Sequence, residues 1–163
     1  MKKFIVAVMA MVLLACAMSA MASYNETRDF TITPSISYNY LVSENARDTF
    51  GNPFGVACDF EWSSIPVGIE VEYIWNKKND IRNEFVPVFA TYSDNLSEST
   101  YWTLATGAVF TKFDNDRKTC WGGEIGVGTY LNPDFNIQLD YFYYGKVEDI
   151  NVHGVSLSLG YTF

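Results

Sequence analysis

The chain has 163 residues, 48% of them hydrophobic and 17% aromatic, and its 19 acidic side chains outnumber 11 basic ones for a formal net charge of −8. That length fits one domain, and the acidic balance argues against a nucleic-acid partner held through its phosphates. Beyond residue 22 no apolar run is long enough for a membrane helix, so an aromatic-rich chain of this kind points to a β-barrel or sandwich.

Residues 1–22 read as a secretory signal peptide. Lys2-Lys3 is the charged start, residues 4–15 the apolar run, and Ala20-Met21-Ala22 the cleavage site. The apolar run is short for spanning. Export by the Sec route is expected, with a mature domain at 23–163 and a net charge of −10. Leu13-Leu14-Ala15-Cys16 resembles a lipobox, in which Cys16 would be lipidated, but Leu14 replaces the preferred small residue and the A-x-A site competes.

The mature chain then alternates with a period of two, the signature of strands with unlike faces. Strand one is expected at 29–42. Phe30, Ile32, Ile36, Tyr38 and Tyr40 share one face, while Thr31, Thr33, Ser35, Ser37 and Asn39 share the other, with Leu41 as the exception. Pro34 lacks an amide proton and predicts a bulge. Residues 43–52 are polar and read as a loop. Strand two is expected at 53–62 and strand three at 67–76, with Asp59, Glu61, Glu70 and Glu72 on their polar faces. Residues 77–83 read as a charged loop. Strand four, at 84–92, leaves its faces open, since Val86 and Val88 compete with Phe85 and Phe89; Pro87 predicts a second bulge.

Strand five is expected at 100–113, with Trp102, Leu104, Ala108 and Phe110 outward. A charged loop follows at 114–119. Strand six, 120–131, places Trp121, Ile125 and Val127 outward and Gly122, Glu124, Gly126 and Gly128 inward. Strand seven, 135–144, turns Ile137, Leu139, Tyr141 and Tyr143 outward and Asp140, Phe142 and Tyr144 inward. Strand eight is 151–163, where Val155, Leu157, Leu159, Tyr161 and Phe163 alternate with small or polar residues.

Eight strands of roughly 9–11 residues suit a tilted membrane crossing. An even count with short connections fits an all-β, eight-stranded, antiparallel up-and-down transmembrane barrel, closed so that no edge is left in lipid. A soluble barrel holding a hydrophobic ligand would alternate too, with its apolar face inside. Three features favour the inverted arrangement. The polar face is rich in carboxylates, from Asp29 to Asp140. Trp62, Trp75, Trp102 and Trp121 lie near strand ends, where interfacial girdles form. Glycines on the inward face suit a small, filled barrel.

The segment Leu157-Ser-Leu-Gly-Tyr-Thr-Phe163 carries the clearest resemblance. The chain resembles the small outer-membrane barrels of the OmpA membrane-domain and OmpX type. That resemblance implies insertion into a Gram-negative outer membrane by the barrel-assembly machinery, with Leu157, Leu159, Gly160, Tyr161 and Phe163 as the assembly signal. The connections here are shorter than the protruding loops of adhesive family members.

With both chain ends in the periplasm, eight of the nine mature basic residues fall at the outer rim; Arg28 does not. Lys77, Lys78, Arg82, Lys112, Arg117, Lys118 and Lys146 are the candidate contacts for lipopolysaccharide phosphates.

Chemistry is otherwise sparse. Some eight-stranded barrels are lipid A deacylases with His and Ser on one face, but His153 and the nearby Ser156 have opposite parity, and a nucleophile needs its base within hydrogen-bond reach. Inward carboxylates could coordinate a cation or line a conducting path, yet no inward Arg or Lys is evident. A filled lumen is expected to be closed. Export permits a disulfide, but Cys58 and Cys120 sit on distant strands with opposite parity. The expected function is a monomeric outer-membrane barrel with a structural or surface-interaction role, without catalysis, metal or cofactor. The alternatives are an outer-membrane enzyme acting on lipids or peptides, and the soluble ligand-holding barrel.

Overall fold

The computed structural model describes residues 30–62, 64–78, 81–114 and 116–163. The order is β1 (Phe30–Leu41), α1 (Glu44–Phe50), β2 (Phe54–Trp62), β3 (Val67–Lys78), β4 (Ile81–Asn95), β5 (Thr100–Phe113), β6 (Asp116–Tyr130), β7 (Phe135–Val147) and β8 (Ile150–Tyr161). Each strand pairs antiparallel with the next, and β1 pairs with β8 to close the barrel. The chain end is fastened into the seam: the Phe163 amide donates to the Ile32 carbonyl at 3.0 Å, and the Thr33 and Thr162 hydroxyls lie 2.9 Å apart. Among the described residues no helix is long and apolar enough to cross a membrane.

The apolar face is outside. Ile36, Phe54, Trp121 and Leu157 are each more than half exposed, whereas Ser37, Asn39, Glu72 and Asp140 are buried. This overturns the soluble reading, because a barrel that holds a greasy ligand keeps that face inward. β4 resolves its ambiguity the same way: Val88 is exposed, while Phe85 and Phe89 are buried inside. Paired rings mark the rim that carries the chain ends, called here the terminal rim. Phe135 and Tyr161 meet edge-on at 4.8 Å, and Tyr161 and Phe163 at 4.7 Å.

Five expectations are corrected. Residues 43–52 are not simply a loop: α1 forms there, its first turn capped by the Ser43 hydroxyl accepting from the Ala46 amide. The stretches 77–83 and 114–119 are mostly strand: β3 runs on to Lys78, β4 begins at Ile81 and β6 at Asp116. No register shift occurs at Pro34, which stays opposite Cys58, or at Pro87, which only interrupts the ladder toward β3. Neither proline needs a bulge once its missing donor is tolerated in an otherwise continuous register. The shift lies in β7 between Tyr143 and Lys146, where Gly145 adopts φ +84°.

Inward glycines leave room for long side chains crossing the lumen. A Cβ on Gly55 would run into the Glu72 carboxylate, and one on Gly126 into that of Asp140.

Candidate functional sites inside and outside the barrel

The lumen has two halves. Toward the rim opposite the chain ends, here the far rim, inward side chains are apolar and packed: Leu41, Ile74, Phe85, Val109, Phe142 and Val152 are all buried. The helix α1 completes this plug. Its Ala46 and Phe50 are wholly buried, and the Phe50 ring sits edge-on to Phe85 at 5.8 Å and to Phe113 at 5.5 Å. α1 is held down by polar contacts as well. Asn76 Nδ2 donates to the Phe50 carbonyl at 2.9 Å, and the Lys78 ammonium donates to the Arg47 carbonyl.

Toward the terminal rim the lumen opens into a polar cavity of about 630 Å³. Asp59, Glu61, Glu70, Glu72, Glu124 and Asp140 line it, together with Ser and Thr from β1 and β8, and no described Lys, Arg or His does. The expected inward carboxylates are therefore brought together; Asp29 lies outside the described residues.

Tyr144 marks the boundary. Its ring stacks on Phe142 at 4.4 Å inside the plug, and its hydroxyl reaches two carboxylates that line the cavity, 2.8 Å from Glu124 Oε1 and 3.2 Å from Glu72 Oε2. Glu72 also accepts from the Ser37 hydroxyl, which in turn accepts from Asn39 Nδ2. Gln138 donates to Asp140 at 2.7 Å. Carboxylate oxygens of Glu70, Glu72 and Glu124 come within 4.8 Å of one another. Oxygen ligands of this kind suit a hard divalent cation, and carboxylates confined between low-dielectric walls focus a negative potential that draws cations inward.

The sequence reading missed the plug. The signal for it was present in the apolar exceptions on the polar face, Leu41, Ile74, Phe85, Phe142 and Tyr144, which all lie at one end.

The basic residues expected at the far rim are there, but the structure separates them. Lys77 lies opposite Arg82 and Lys112 opposite Arg117, and Glu84, two residues on from Arg82, lies opposite Lys112. All five share the outward parity of Trp75 and Phe110. Arg82 is held by its Nε 2.7 Å from Glu84 Oε1 and its Nη2 donating to the Tyr73 hydroxyl at 2.7 Å. Lys78 instead lies by α1, 3.9 Å from Asp48. Lys118 opposes Thr111, a buried inward residue, and Lys146 pairs with Asp149 at 3.1 Å.

His153 and Ser156 lie on opposite faces as expected. The His153 Nδ1 is 2.9 Å from the Tyr141 hydroxyl on the outer surface, whereas Ser156 is buried in the lumen. No disulfide joins Cys58 to Cys120. Of the terminal segment, Leu157 and Leu159 are exposed outward and Gly160 is buried. The signal peptide, Cys16 and Arg28 lie outside the described residues.

Solved structures share this architecture. The attachment invasion locus protein Ail of Yersinia pestis superposes with a TM-score of 0.60 at 19% identity, over 84% of this chain and all of that one. The N-terminal barrel domain of Pseudomonas aeruginosa OprF gives 0.59 at 14% identity, over 82% of this chain and 97% of the other. Neisserial surface protein A gives 0.52 at 16% identity, over 83% and 96%. At these identities the likeness shows the fold. No curated protein sequence matches the chain. Residues 8–163 match the model of the outer membrane protein beta-barrel domain family, and the chain belongs to that family.

Proposed function

We propose that the chain is a closed outer-membrane barrel with a structural or surface-interaction role, acting neither as a channel nor as an enzyme. The observation that supports this reading is the plug: α1 and the buried rings of Phe50, Phe85, Phe142 and Tyr144 fill the lumen at the far rim. A path for solutes would have to pass through that packed core. An enzyme reading finds no support in the single histidine, whose partner is a tyrosine on the outer face. In this reading the terminal rim faces the periplasm after Sec-dependent export. Leu157, Leu159, Gly160, Tyr161 and Phe163 are read by the barrel-assembly machinery, and the folded protein is a monomer among outer-membrane lipids.

Two measurements test it. Reconstituted in planar bilayers, the protein is expected to give no stable open channels; steady conductance would refute closure. In a Gram-negative host it is expected in the outer membrane with a boiling-dependent gel shift, and removal of Phe163 is expected to lower that yield. A soluble periplasmic product without the shift would refute the assignment.

A further inference from the structure

Glu70 and Glu72 share the inward face of β3, and Glu124 comes from β6, three strands away in a ring of eight and so across the lumen. Their carboxylate oxygens still lie within 4.8 Å of one another. Several contacts hold them there. Gly55 leaves the space that the Glu72 carboxylate fills, Ser37 donates to Glu72, and the Tyr144 hydroxyl reaches both Glu72 and Glu124. Glu72 is 4% exposed and Glu124 9%. Like charges this close repel strongly between low-dielectric walls, and no described Lys, Arg or His lines the cavity to offset them.

A neighbouring side chain points independently to a positive charge at this place. Asn39 is wholly buried on the inward face of β1, and its Oδ1 has no hydrogen-bond partner. Buried polar atoms are nearly always paired, so such an exception marks a water or an ion. The Asn39 Nδ2 donates to the Ser37 hydroxyl and lies within reach of the Glu72 carboxylate, which sets the bare oxygen beside Glu72. Flipping the amide does not cure this, because Ser37 has one proton and Glu72 takes it. Ser156, opposite Asn39 on β8 and 5% exposed, lines the cavity next to it. Each of these groups offers an oxygen, and what suits them together is a cation.

Ligand oxygens lie about 2.3–2.6 Å from a calcium ion, so two oxygens of one shell are at most about 5 Å apart. The three carboxylates meet that bound. Calcium accepts irregular shells of about 6–8 oxygens, waters included, whereas magnesium demands a near-ideal octahedron. Carboxylates reaching in from opposite walls make the irregular kind. We infer that Glu70, Glu72 and Glu124 bind a divalent cation of the calcium type at the floor of the cavity, with Asn39 presenting a neutral oxygen beside it. Tyr144 is a positioning residue for Glu72 and Glu124. The ion enters from the terminal rim and ties β3 to β6 beneath the plug. This goes beyond the structural role proposed above and does not rest on it, since closure of the far rim and cation binding are tested separately.

The experiment titrates calcium calorimetrically into the full mature barrel, folded in a chelator-treated maltoside detergent at neutral pH. Magnesium and spermidine serve as comparison probes. One ion per barrel is expected. Removing even an outer partner costs a metal site about 10–100-fold, so E70Q, which strips a charged ligand, is expected to lose about 100-fold. Y144F keeps all three ligands and is expected to lose about 10-fold. E61Q removes an equal charge nearer the mouth, where Ser93 already holds Glu61, and is expected to stay within about twofold. A wild-type barrel that takes up no calcium would overturn the site. Equal losses in E70Q and E61Q would overturn it too, because they describe counterions gathered by the cavity as a whole. Magnesium binding as tightly as calcium would overturn the calcium assignment. Spermidine displacing calcium at equal concentration would overturn the metal in favour of an organic polycation. The boiling-dependent gel shift verifies the fold of each variant, and E124Q takes the place of E70Q if that variant does not fold.

Discussion

The two halves of the lumen are built by the same eight strands with the same alternation, yet they are different materials. At the far rim the inward positions carry Leu41, Ile74, Phe85, Val109 and Phe142, and α1 folds in to fill what the strands leave. At the terminal rim the inward positions carry Ser, Thr and carboxylates, and a cavity of about 630 Å³ remains. The contrast teaches that one half of a small barrel can be packed with rings while the other stays open. The other half can stay charged because its carboxylates have donors, Ser37 on Glu72 and Gln138 on Asp140, whereas a carboxylate among the rings of the plug would bear the cost of desolvation without one. Tyr144 joins the two, its ring in one and its hydroxyl bonded to Glu124 of the other.

The largest expected effect comes from emptying the plug. Phe50→Ala deletes a fully buried ring with neighbours on two strands and is expected to cost about 3–5 kcal/mol. Urea unfolding from lipid vesicles measures it, and a change below about 1 kcal/mol would mean that α1 merely rests on the rim. Next is Tyr144→Phe, which keeps the ring and removes the hydroxyl shared by Glu72 and Glu124. A loss of about 1–3 kcal/mol is expected from leaving those buried acceptors without their donor. No loss would mean that water from the cavity replaces the hydroxyl and that the boundary is wetter than drawn. Ser43→Ala removes the cap of α1 and is expected to cost about 1 kcal/mol. Its mark would be faster hydrogen exchange at the α1 amides with the strand amides unchanged.

The smallest perturbation sharpens the comparison without stability change. Ser158 and Val152 both point inward from β8, one into each half. In a background lacking Cys58 and Cys120, a Ser158→Cys thiol is expected to react quickly with a water-soluble maleimide, and a Val152→Cys thiol slowly. Equal rates would contradict the plug.

Eight strands, their order and the lipid-facing side were legible because burial on one face imposes a period of two on every strand. The seam was legible from the alternation of Val155, Leu157 and Leu159. Strand ends were less so: Lys77, Arg82 and Arg117 are charged and near turns, which reads as loop, but outward positions above an aromatic belt favour charge even within a ladder. α1 was illegible as a helix because seven residues have little intrinsic stability. It forms because Phe50 finds rings on β4 and β5 that are distant in sequence.

The sequence by itself therefore determined the eight strands, the closed topology and which face is greasy, since these follow from local alternation and from the need to leave no edge unpaired. Only the tertiary structure decided how the lumen is divided and which cations stand together. Both depend on register between strands, which brings Glu72 to Tyr144 across the barrel and Lys112 beside Glu84, and no local pattern in the chain encodes those meetings.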